Sequence, residues 1–159
     1  MIFEVPDLLP FAGLLPILAS VAIGDMREFR IANSKVLVVL AFFVFTIPFV
    51  PAEELLYRIS VAALSFLVCF ALYAWGKMGG GDAKLIPALL LFVPAGDVSL
   101  FLFALAVGLA VGIASLLVVR HCLADRSGLW PSFQVGAPLP VGLPIALAGV
   151  AFLLLAGTI

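Results

Sequence analysis

Uncharged, apolar runs divide this sequence from end to end. Residues 8–24, 36–52, 59–76, 85–96 and 98–119 hold no Asp, Glu, Lys or Arg, and a last long run reaches Ile159. A helix of about 20 mostly apolar residues crosses the ~30 Å hydrocarbon core of a bilayer. The first, second, third and fifth runs meet that need, and the last holds a sixth helix from about 140 to 159. The fourth run is short by itself. Membrane β-strands would alternate polar and apolar residues over about ten positions, which these runs do not do. The expected fold is therefore all-α, a polytopic membrane bundle of six transmembrane helices forming one domain over residues 1–159.

Composition supports the same class: 65% of the residues are apolar and 11% charged, against about 25% charged in soluble domains. Mean hydropathy is +1.35. Nine acidic and eight basic residues, net charge −1, are too few to cover a water-facing surface. Disorder, nucleic-acid binding and an ordinary soluble enzyme all fit poorly, and the lipid bilayer is the implied partner. Proline at 10, 16, 48 and 144 is tolerable inside spans whose neighbours satisfy the freed backbone groups. Gly108 and Gly112, four apart, permit close helix approach.

Basic loops stay on the cytoplasmic side. Arg27, Arg30 and Lys35 follow the first span, Lys77 and Lys84 the third, and Arg120 and Arg126 the fifth, so seven of eight basic residues share one side. Glu4, Asp7, Glu53, Glu54 and Asp97 then face outward with Arg58, and both termini lie outside. A cleavable signal peptide would begin with basic residues. Here none precedes Arg27, so the first span is expected to be retained.

Cys69 and Cys122 offer no disulfide framework or Cys-rich zinc module, and a single His121 makes a histidine metal site or a Ser-His-Asp triad improbable. Carboxylates remain. Asp25 ends the first span and Asp82 opens the fourth, both on the basic side. If Asp97 marks the outer surface, a helix from Asp82 rises only about 22 Å, which sets Asp82 several Å below the cytoplasmic surface. The same arithmetic from Asp7 sets Asp25 slightly below it. Gly76-Lys77-Met78-Gly79-Gly80-Gly81 precedes Asp82; glycines resist helix, permit positive φ and allow another backbone to come close. Irregular backbone at membrane depth must be buried in protein or line a wet cavity, which suits a cleft for an extended peptide. Taken singly, Asp82 also reads as a helix N-cap and Asp25 as a solvated neighbour of Arg27. Acids within a membrane are costly and usually have a task.

Asp25-Met26-Arg27-Glu28-Phe29-Arg30-Ile31-Ala32-Asn33, the run 78–85, and Pro140-Val141-Gly142-Leu143-Pro144-Ile145-Ala146 carry a resemblance to the bacterial type IV prepilin peptidase family. The short form used in tight-adherence (Flp) pilus systems is most similar. Ala32 stands where the family commonly has proline, and Val141 where an aromatic often precedes the glycine, departures that bear on substrate preference. Longer members carry a cytosolic segment with paired cysteines and N-methyltransferase activity. This chain has no room for it, which argues against that second activity.

The resemblance implies a membrane aspartic endopeptidase of the bacterial inner membrane that works at the cytoplasmic face. It would remove the leader from prepilins or pseudopilins, precursors with a basic leader and a hydrophobic helix. Asp25 and Asp82 would be catalytic, Gly79, Gly80 and Gly81 would form the active-site loop, and no metal or cofactor would be needed. Arg27, Asn33 and Lys84 are possible substrate contacts, although Lys84, one of seven basic residues on its side, reads more readily as an interfacial anchor. A small transporter using the two aspartates as a proton or cation site is the alternative from another class, although transporters tend to bind near the midplane between repeated halves. A non-catalytic pilus-assembly scaffold comes third.

Overall fold

The structure is a computed structural model that describes residues 5–122, 131–133 and 137–157. Glu4 and Arg126, two of the charges that orient the chain, lie outside the described residues. Among the described residues the regular structure is all helical: α1 (Val5–Ala12), α2 (Leu15–Glu28), α3 (Asn33–Thr46), α4 (Ala52–Ala74), α5 (Asp82–Leu90), α6 (Val98–Cys122) and α7 (Gly142–Ala156). Taking α1 and α2 as two pieces of one apolar segment leaves six helical segments. Three stretches, Leu9–Glu28, Ala52–Ala74 and Ala95–Cys122, are long and apolar enough to cross a membrane, and Asn33–Phe49 and Gly142–Ala156 are shorter apolar helices.

The first expected span is bent. Pro16 has no N–H to offer the Ala12 carbonyl, so the chain turns at Gly13 and Leu14, with Leu14 N–H reaching Phe11 O at 2.9 Å, before α2 begins. The stretch from Asp82 to Asp97 departs further from expectation, because α5 stops at Leu90. Turn bonds from Phe92 N–H to Leu89 O and Val93 N–H to Leu90 O come next, then Pro94 and a 3-10 turn at Ala95–Asp97. Nine residues of helix rise only about 14 Å. No continuous helix joins Asp82 to Asp97, so the depth of Asp82 does not follow from their separation. Asp97 itself is packed inside the protein, only 2% exposed.

Arg58, expected in an outward loop, is buried on α4 and paired with Glu54 one turn earlier, Nε to Oε1 3.0 Å. That carboxylate also accepts the Ala95 N–H at 2.8 Å, which pins the turn after α5 to the start of α4.

α7 packs between α6 and α2, α5 packs on α4, and α3 touches α2 and α5. The α6–α7 contact needs small residues: a Cβ on Gly108 would meet Ala148 Cβ at 2.6 Å, and one on Gly112 would meet Pro144 Cγ at 2.7 Å. Phe11, Phe101 and Phe152 meet edge to face, ring centroids 4.9 to 5.9 Å apart, and close the core between α1, α6 and α7. Many large apolar side chains, Phe45, Phe49, Leu67 and Leu154 among them, point outward, as a lipid-facing surface requires.

Candidate active site

Three local devices bring the site together. α2 ends where Phe29 adopts a left-handed conformation, φ 53°, its N–H bonded to Asp25 O at 2.9 Å. This closes the helix directly after the turn that carries Asp25. α4 ends in a Schellman motif: Gly76 takes φ 68°, its N–H reaches Tyr73 O at 2.9 Å, and Lys77 N–H reaches Leu72 O at 2.9 Å. The chain then reverses through Gly79, Gly80 and Gly81 into α5. Ala83 N–H bonds to Gly79 O at 3.0 Å and Leu85 N–H to Gly81 O at 2.9 Å. Asp82 is thus the first residue of α5, with Gly81 in the cap position, one place from the N-cap reading.

Asp25 and Asp82 are both buried, 5% and 8% exposed, and both line one cavity of about 330 Å³. Its other walls come from Phe29–Asn33, Tyr73, Gly79–Gly81 and Lys84. Of the glycines before Asp82, only Gly76 uses positive φ. The others matter because they lack a side chain. A Cβ on Gly79 would lie 2.7 Å from Asp82 Oδ2, and one on Gly81 would lie 2.6 Å from Ile31 Cβ, in the loop between α2 and α3.

Asp25 has a backbone partner from the far end of the chain. Gly142, first residue of α7, donates its N–H to Asp25 Oδ2 at 2.7 Å, and a Cβ there would stand 2.8 Å from Asp25 Cβ. A carboxylate at a helix N-terminus meets both an unpaired amide and the positive end of the helix dipole. Lys35 Nζ donates to Ser20 O beside Gly24, which brings a further positive charge to α2. The cavity can hold water between two carboxyl groups. Closely placed carboxyls resist ionising together and tend to hold one proton between them.

Asn33 and Lys84 line the cavity and bond to each other, Lys84 Nζ to Asn33 Oδ1 3.0 Å, which joins the first turns of α3 and α5. Arg27 is exposed and not among the lining residues, whereas Arg30 is. His121 and Cys122 are exposed at the end of α6, away from the cavity. Among the described residues, no three His, Cys, Asp or Glu side chains gather as metal ligands.

Tyr73 and Gly142 join the site without having been expected there from sequence. Gly142 lies in one of the motif stretches, but only the fold shows what its amide faces. Tyr73 has a local signal, since it sits one turn before a helix-ending glycine and so beside the loop that comes next.

Residues 12–119 match the sequence model of the type IV leader peptidase family. No curated protein and no solved structure matches the chain. The matched stretch contains both aspartates and the glycine loop and ends before α7.

Proposed function

The chain belongs to the type IV leader peptidase family, an aspartic peptidase family, and from that premise we propose that Asp25 and Asp82 are its catalytic pair. The observation that carries this reading is that two buried carboxylates from separate helices line one glycine-walled cavity. One carboxylate takes a proton from water as the water oxygen bonds to the scissile carbonyl carbon. The other, protonated, gives its proton to the carbonyl oxygen. As the tetrahedral intermediate collapses and the C–N bond breaks, the leaving amine takes the proton that came from water, and a hydroxyl proton of the intermediate returns to the carboxylate that had given its own, which restores the pair.

The substrate is a prepilin or pseudopilin, and cleavage separates its basic leader from the hydrophobic helix that comes after it. Basic residues near the cavity, Arg30, Lys77 and Lys84, support a site at the cytoplasmic face of the inner membrane by the positive-inside rule. The Flp-type short form is the reading that the motif stretches favour.

The test is cleavage of a precursor by protein in liposomes, comparing wild type with Asp25→Asn and Asp82→Asn. An amide can neither take nor give the catalytic proton, so each variant should lose at least about 10²–10⁴-fold in rate while remaining in the membrane. Substantial turnover by either variant removes that residue from the mechanism.

A further inference from the structure

We infer that Arg120 is a positioning residue for this site, holding the Gly142 amide on Asp25 through a proline-stiffened segment; the inference rests on the peptidase reading above. Arg120 lies in the last turn of α6 and is only 8% exposed. Its Nε donates to Ser132 O at 2.8 Å and its Nη2 to Pro138 O at 2.7 Å. A buried guanidinium is costly unless its donors are matched. Here the matches are two main-chain carbonyls of the segment that leads into α7, so the side chain fixes that segment in place.

The short link from Pro138 to α7 makes the fixing consequential. Pro138 and Pro140 each lock φ near −65°, and Ala137 and Leu139, each preceding a proline, are confined to extended backbone. Pro140 is buried, and four residues after Pro138 comes Gly142, whose N–H meets Asp25 Oδ2 at 2.7 Å. A flexible link would absorb a shift at Pro138, but this one passes it on to the Gly142 amide. Arg120 is not among the residues lining the cavity, so it acts through the strut and touches neither substrate nor water there. Displacing a catalytic group by ~1 Å costs about a hundredfold in rate.

The experiment uses the full chain in liposomes with a precursor carrying a basic leader ahead of a hydrophobic helix, and measures kcat, KM and thermal unfolding. Arg120→Met should lower kcat per folded molecule by about ten- to a hundredfold, with KM within about twofold. Arg120→Lys, which keeps the charge but cannot fork to both carbonyls, should fall between. Pro138→Ala, which softens the strut and keeps the carbonyl, should also lower kcat. Combined with Arg120→Met, it should lose less than the product of the single losses, because both changes break one linkage.

Unchanged kcat, a loss confined to stability or KM, or fully multiplicative losses would overturn the inference. If Arg120→Met does not fold, Arg120→Lys and Pro138→Ala decide the matter, and wild-type kcat in both would overturn it. A wild-type protein that cleaves no precursor would overturn the peptidase reading, and this inference with it. Wild-type cleavage with normal Arg120 variants removes the positioning role alone.

Discussion

Gly81 and Ile31 meet so closely that a Cβ on Gly81 would stand 2.6 Å from Ile31 Cβ and 3.2 Å from its carbonyl oxygen. Asp82 follows Gly81 directly, and the Ile31 loop leaves the helix that carries Asp25, so this contact sits where the two acids' supports touch. Gly81→Val should wedge α5 from that loop and lower cleavage by about a hundredfold, the cost of a ~1 Å error in catalytic geometry. Gly108→Val clashes with Ala148 on α7 instead, and its harm should show as lost stability. Rates normalised to folded protein separate the two. A folded Gly81 variant cleaving at the wild-type rate would mean that the loop merely connects α4 to α5.

Asn33 and Lys84 should act as one unit, because both line the cavity and their side chains bond to each other at 3.0 Å. Asn33→Ala and Lys84→Met should each weaken cleavage by less than about tenfold, mainly through KM, and the double variant should be little worse than either single one. Additive losses would show that the two residues contact substrate independently.

Glu54→Gln should destabilise the protein without slowing catalysis per folded molecule. The change leaves the buried Arg58 guanidinium without its charge partner and weakens the acceptor for Ala95 N–H. Because Glu54 is 26% exposed, the cost should fall below about 3–5 kcal/mol, the cost for a fully buried pair. Unfolding in detergent, followed alongside the cleavage rate, checks this. A fall in rate with stability intact would place the pair in the catalytic machinery.

Single cysteines near Arg30 and Lys77 should react with an impermeant thiol reagent only after the membrane is opened, while one near Glu53 should react in intact cells, with Cys69 and Cys122 replaced beforehand. The pattern follows from the distribution of basic residues. The opposite pattern would put the aspartate cavity on the wrong side for a cytoplasmic leader.

The all-helical class was legible in the sequence because apolar run length is a strong local signal, and Asp25 and Asp82 stood out as acids at the ends of apolar runs that the fold brings to one cavity. The glycine loop was legible as irregular backbone open to positive φ and to the close approach of another backbone, and both occur. Positive φ is used at Gly76, and at Gly81 a Cβ would strike Ile31, fifty positions earlier, a partner that only the fold identifies, while at Gly79 it would strike the nearby Asp82 carboxylate. The depth arithmetic assumed one helix from Asp82 to Asp97, but α5 stops at Leu90 and turns lead on to Asp97. The Gly142 contact with Asp25, spanning 117 positions, could not be inferred from any local pattern.

Contacts between helices divide unevenly between the two acids. Asp25 stands on α2, which leans on α7 and through it on α6, while Asp82 stands on α5, which leans on α4; α3 bridges the two groups only lightly. The two carboxylates therefore straddle a seam, with one on each side. The distance between the two carboxyl groups is thus set by how these two packed groups of helices sit against each other, and not by either helix alone.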